Sequence, residues 1–196
     1  TSVGVWGVKQ SMTTFVGTTT FSGTSPQSIT GTLSGNSSFG YLAFTGAGTK
    51  TFGSNASSTN FQIGSGATVV APTALSIGGH YGNSGTFTSN SGTVFLTGYA
   101  TQTLSGTMTG SSAFSNLTIM NTSGAGSSTQ SINFTASAST TGTFTMLAST
   151  SARFLASATS TFQNIALKGS LYKPVWLRSS TVGTRFGWAV PGTQSQ

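Results

Sequence analysis

Apolar residues recur along this chain with a period of two, in short runs cut by glycine. In TQTLSGTMTG (101–110) Leu104 and Met108 lie four apart on one side. In AFSNLTIM (113–120) Phe114 takes one face while Leu117 and Ile119 share the other. Successive side chains of a strand point to opposite faces, so alternation over four to six residues marks a half-buried strand. The separators SG, TG, NSG and GSG supply positive φ at no steric cost. No window shows the 3.6-residue period of an amphipathic helix, and Ser and Thr are weak helix formers. The pattern predicts an all-β protein.

The pattern also repeats. GTTTFSGTSPQSITGTLSGNSSFGYLAF (17–44) aligns without a gap on GTVFLTGYATQTLSGTMTGSSAFSNLTI (92–119), a shift of 75 residues. Gly17, Gly23, Gly31 and Gly35 fall on Gly92, Gly98, Gly106 and Gly110, and Gln27 falls on Gln102. The apolar slots match as well: Ile29, Leu33, Phe39, Leu42 and Phe44 fall on Leu104, Met108, Phe114, Leu117 and Ile119. These ten residues are the predicted repeat core. Low complexity aligns Ser, Thr and Gly by accident but does not align Gln, Phe and four aliphatic slots in register.

A unit of this length exceeds one β-helix coil of roughly 20–30 residues. It would hold about three, for seven or eight coils along the chain. The predicted architecture is therefore a parallel β-helix (β-solenoid) repeat array over residues 1–158, with its internal copies starting near 17 and 92. Residues 159–196 are predicted to form a C-terminal β cap or junction segment, because an array needs an atypical end to cover its last coil. There the texture changes: TFQNIALKG, KPVWLRSS and TRFGWAVPG read as longer strands, with Phe186, Trp188 and Val190 alternating on one side. The alternative is a pair of tandem β-sandwich domains joined near residue 85, since strands every 8–12 residues also fit that fold.

Composition narrows the functional classes. Of 196 residues 35% are hydrophobic and only 4% charged, with 27 Gly, 14 Phe and no Cys. Aromatics at 11% argue against disorder, and the absence of Cys removes disulfides and thiolate metal sites. No run approaches the length of a membrane span. A start at Thr1 suggests a processed form or a piece of a longer chain.

There is no Asp or Glu at all, which leaves a net charge of +7. Three readings of that absence are open. The protein works in acid, where carboxylates that must protonate cost stability. Or it avoids charge so that like surfaces pack. Or acidic residues stand in the natural chain at positions written here as Ser, Thr, Asn, Gln or Ala. Five of the seven basic residues (Arg153, Lys168, Lys173, Arg178, Arg185) lie beyond residue 150 and form no basic run, so the charge does not predict nucleic-acid binding.

The run LSIGGHYGNSGTFTSNSGTVFLTGYATQTLSGTMTGSSAFSNLTI (75–119) resembles repeats of large secreted surface proteins of bacteria. Those repeats combine an apolar strand, Gly-Gly, NSGTF, a GTV…TQTLSG strand pair and an F-x-NLTI strand. The tail LRSSTVGTRFGWAVPGTQS (177–195) is similar to the segment that closes such arrays, after which the family chain usually continues. The resemblance covers roughly 70–196, with 17–45 as the earlier copy. It implies a parallel β-helix of adhesin-like or envelope-forming type, and it carries no catalytic motif. Two departures stand out: family members generally have some Asp and Glu, and His80 occupies a place where Asn, Asp or another small polar residue is expected.

No candidate for chemistry outweighs a structural role. Polysaccharide cleavage on a β-helix needs paired carboxylates, and a Ser–His–acid triad needs its acid. His80 is the only histidine; it reads as a turn or surface residue and cannot hold a metal alone. GAGTKT (46–51) misses the phosphate-loop spacing and reads as a turn. Asn36, Asn55, Asn116, Asn121 and Asn133 begin N-x-[ST] sequons, frequent by chance in a Ser/Thr-rich chain though compatible with surface glycosylation. Tyr172, Trp176, Arg178, Arg185 and Trp188 could form a surface for a partner or a glycan, against the plainer reading of a capping core with a basic rim. Ice binding would need regular T-x-T ladders, and those here are irregular.

The expectation is a non-enzymatic structural protein, extracellular or at the cell surface, that acts by self-association as a filament or sheet. Its expected partner is itself, then surface glycans; nucleic acid, a membrane span, cofactors and metals are not expected. The rival readings are an adhesin or carbohydrate-binding module using the C-terminal aromatics and, behind it, a polysaccharide-active β-helix enzyme.

Overall fold

The computed structural model describes residues 4–8, 15–124 and 130–196, with side chains from residue 17 onward. The alternating segments become twenty short strands with two single 3-10 turns, Gly35–Ser37 and Gly110–Ser112. Every pairing between these strands is parallel. The chain winds as a three-walled β-solenoid of about seven turns, each coil stacked on the one before, and tandem sandwiches do not form. The buried apolar side chains, from Phe21 to Ile165, form one continuous core.

The walls can be followed by register. The first runs through Gln27–Gly31, Thr49–Phe52, Thr68–Val70 and Thr86–Thr88. It continues through the turn at Gly110 and the leading ends of Ser139–Met146 and Thr159–Leu167 to Gly187–Ala189. The second carries the inward ladder Leu75, Val94, Leu117, Phe144, Ile165. The third carries Leu42, Phe61, Tyr81, Leu104, Phe134. All ten predicted repeat-core residues are buried in these ladders. Aromatic rings stack from coil to coil, Phe61 on Tyr81 at 6.0 Å, Phe134 on Phe154 at 4.7 Å and Phe144 on Phe162 at 4.3 Å. Each such pair adds to the area already buried.

The two sequence copies do not stand above one another. Phe44 lies in the third wall, paired with Ile63, whereas its counterpart Ile119 lies in the second, between Leu96 and Met146. Leu33 bridges to Ala56, but its counterpart Met108 bridges to Ala138 in the first wall. The unit therefore spans about three and two-thirds coils rather than three whole ones. This is possible because every wall offers the same environment, apolar inside and hydroxyl outside, so a strand pattern fits whichever wall it reaches.

The repeated Gly and Gln make the corners. Gly35 and Gly110 open the two 3-10 turns at φ of 62° and 59°, where a side chain would be strained. Gln102, fully buried, folds over Gly98 and accepts that residue's N–H on Oε1 at 3.0 Å, and its Nε2 donates to the carbonyls of Ile77 (2.9 Å) and Gly79 (2.7 Å) in the coil below. Gln27 repeats the first of these bonds with Gly23 at 3.2 Å. Asparagines serve elsewhere: Asn60, Asn116 and Asn164 accept the N–H of His80, Thr143 and Thr193 in the next coil. Each lies against a glycine (Gly79, Gly142, Gly192) whose Cβ would collide with the amide oxygen.

Residues 159–196 continue the winding. Thr159–Leu167 pairs with Gly187–Ala189 and Gln194–Ser195, and Ser151–Phe154 pairs with Trp176–Ser179. Phe186, Trp188 and Val190 pack against the end of the core.

Candidate functional surface

The fold divides the molecule electrostatically. Lys50 is the one charged side chain between residues 17 and 152, and it is 0% exposed. Its Nζ donates to the carbonyls of Gly23 (2.9 Å), Thr45 (2.6 Å) and Gly46 (2.7 Å), closing the GAGTKT corner from inside. Burial holds its pKa below the usual lysine range. The outer surface of these coils is thus mainly hydroxyl, amide and methyl groups, with Tyr41, Tyr99 and Met120 exposed among them, and among the described side chains the exposed charge gathers on the last coils.

There the five residues predicted as a contact surface separate. Trp188 points inward, its ring edge-on to Phe144 (5.7 Å), Phe154 (5.1 Å) and Phe162 (5.5 Å). Tyr172 stands out on a loop, 89% exposed beside Leu171, and Arg185 is exposed on another. Trp176 and Arg178 come together on one strand: Trp176 is 38% exposed, and the Arg178 guanidinium lies 5.6 Å from the centre of its ring. That is cation–π distance.

One residue of this surface is not among those five. Arg153 is in register with Arg178 on the neighbouring strand and points to the same outer side. Below it in the same column, Asn133 Oδ1 accepts the Arg153 Nε–H at 3.0 Å. Both arginines line a cleft of about 420 Å³ with Gln130, Ser179, Ser180, Thr181, Val182 and Gly183. The available signal in sequence was the spacing SARF…WLRS, which register alone converts into a pair.

Other sequence candidates resolve as scaffold. His80 is exposed at a corner, where its Nδ1 accepts the N–H of Thr103 at 3.0 Å. Asn121 is buried, with Nδ2 donating to Ala100 O (2.7 Å) and Gln102 Oε1 (2.9 Å), so that sequon is closed to glycosylation in the folded chain. The oxygens of Asn55, Asn116 and Asn133 are engaged in the bonds that join coils, while Asn36 is exposed. Among the described residues no three His, Cys, Asp or Glu gather as for a metal. Among the same residues no helix is long and apolar enough to cross a membrane.

No protein-family model matches this chain, and comparison with curated proteins and with solved structures gives no similar chain.

Proposed function

We propose that this chain is a structural segment of an extracellular, surface-exposed or filament-forming β-solenoid that works by shape and self-association, without an enzymatic role. The observation that supports this reading is the uncharged surface: from residue 17 to 152 the only charged side chain is buried. Like-charge repulsion normally keeps protein surfaces apart. Here hydroxyl-rich walls of two copies can meet without desolvating any charge, which spares the association its largest polar cost. Sedimentation of the purified protein over a hundredfold concentration range, with electron microscopy of the heavy fraction, tests it. The expected result is concentration-dependent filaments or sheets that persist at high salt. A clean monomer throughout would refute self-association.

A second reading, an adhesin or carbohydrate-binding surface, is favoured by Trp176, whose indole is partly exposed beside the arginine-lined cleft. An exposed indole is the usual platform for a sugar face. Glycan-array binding that disappears in Trp176→Ala would support it, and an unchanged profile would remove it.

A further inference from the structure

Arg153 and Arg178 sit side by side in a parallel pair of strands, so their Cα atoms are separated by about 4.8 Å, the ordinary spacing between strands. Like charges at directly opposed positions destabilise a sheet. The usual remedy is a carboxylate side chain, and the sequence has no Asp or Glu. The pair is also held in place. Asn133 takes the Arg153 Nε–H at 3.0 Å, which orients that guanidinium, and the Trp176 ring lies 5.6 Å from the Arg178 carbon. Around them the cleft wall carries Ser179, Ser180, Thr181 and Gln130, neutral groups able to donate hydrogen bonds, beside Val182 and Gly183. The turn bearing these hydroxyls is fixed to the previous coil, Ser180 N–H donating to Phe154 O at 2.8 Å and Ser180 Oγ accepting from Ala156 N–H at 2.8 Å. A local rule is thus broken in a cleft whose walls match one kind of ligand.

We propose that this cleft is an oxyanion site: it receives a sulfate, phosphate or carboxylate group between the two guanidiniums, with the group carried on a polysaccharide that lies along Trp176. Guanidinium forks match such groups, and an anion between two neighbouring guanidiniums offsets their mutual repulsion. The sugar part rests on the second reading above, whereas the oxyanion part rests only on the arginine pair. A nucleic acid fits less well. It would need a track of several phosphate contacts, and the other cations beyond residue 150, Lys168, Lys173 and Arg185, do not line the cleft.

The test is titration calorimetry of the whole chain at low salt with four probes: inorganic sulfate, dextran sulfate, uncharged dextran and a single-stranded oligonucleotide. The expected result is binding of dextran sulfate, weaker binding of inorganic sulfate and none of dextran. Arg153→Gln and Arg178→Gln should each weaken sulfate and dextran sulfate at least tenfold, while Arg185→Gln, outside the cleft, leaves both unchanged. Circular dichroism and urea midpoints confirm that the variants are folded; Arg→Lys at the same positions, which keeps charge but loses the fork, provides a second set if the Gln variants are not. Inorganic sulfate and dextran sulfate binding equally would keep the oxyanion site and overturn the polysaccharide. Binding of no anion, binding that is indifferent to both arginines, or preference for the oligonucleotide would overturn the proposal.

Discussion

The Gln102 carboxamide lies across Gly98 and takes that glycine's N–H at 3.0 Å, locking one coil while its Nε2 holds two carbonyls of the coil beneath. Nothing but glycine fits under it: a Cβ on residue 98 would stand 2.9 Å from Gln102 Cδ and closer still to the Gly78 carbonyl. Gln102→Ala takes the partner from the Gly98 N–H and from the Gly79 carbonyl, and one of several bonds from the Ile77 carbonyl and from Asn121 Nδ2, and should cost about 2–4 kcal/mol. Gly98→Ala forces the corner apart and should cost about 1–3 kcal/mol. The first-copy variant Gln27→Ala, at a half-buried corner with one bond of this kind at 3.2 Å, should cost about 1 kcal/mol. Urea titrations with unchanged slope give these numbers, and equal losses for Gln27 and Gln102 would contradict the assignment.

The ring ladders predict where the solenoid is most sensitive. Phe61 touches Phe44, Tyr81 and Phe87, with centroids 5.1–6.4 Å away, in three successive coils. Phe61→Ala should lose about 3–5 kcal/mol. Thr88→Ala, at an exposed outward position of the first wall, should stay within about 0.5 kcal/mol. Thermal melts of the two variants beside the parent make the comparison.

The strand grammar, the parallel coil architecture and the buried repeat core were legible because a period of two with glycine breaks has few physical solutions, and all ten matched apolar positions are inside. The location of the copies was not. Sequence fixes which residues point inward but not which of three equivalent walls they reach, and Phe44 and Ile119 ended in different ones. Long-range register was equally invisible. Arg153 and Arg178 read as two scattered cations until Ser151–Phe154 and Trp176–Ser179 paired. Lys50 read only as part of a turn, and the three carbonyls of the folded corner explain its burial.

The pH profile should be one-sided. With no side-chain carboxylate in the sequence, the usual loss of stability between about pH 5 and pH 2 has no source, and urea midpoints should be flat there. At high pH Tyr81 takes over. Burial drives its pKa up, with the Asn83 side chain pulling weakly the other way. A folded value above the unfolded one of about 10 means stability is intact below that pH and falls as pH rises past it. Tyr81→Phe should flatten this alkaline limb and leave the neutral midpoint nearly unchanged. A steep acid limb in the parent would instead reveal carboxylates in the natural chain.

Lys50 supplies the last prediction, because two effects oppose each other at one buried atom. Its ammonium satisfies three carbonyls, yet burial disfavours the charge and lowers the pKa. A lowered folded value works opposite to Tyr81: this group's contribution to stability grows as pH rises through the folded pKa toward the unfolded value of about 10.4. Lys50→Met removes the desolvated charge but abandons the carbonyls of Gly23, Thr45 and Gly46. Each orphaned acceptor costs about 1–3 kcal/mol, and the relief of burying no charge offsets part of that sum. The expected net is a loss of about 2–4 kcal/mol at pH 7, with the rising contribution below pH 10 abolished. Urea midpoints of parent and variant at pH 7 and pH 10 decide it. If Lys50→Met matches the parent at pH 7, the three carbonyls find water or each other, and the buried lysine is a tolerated charge rather than a clasp between coils.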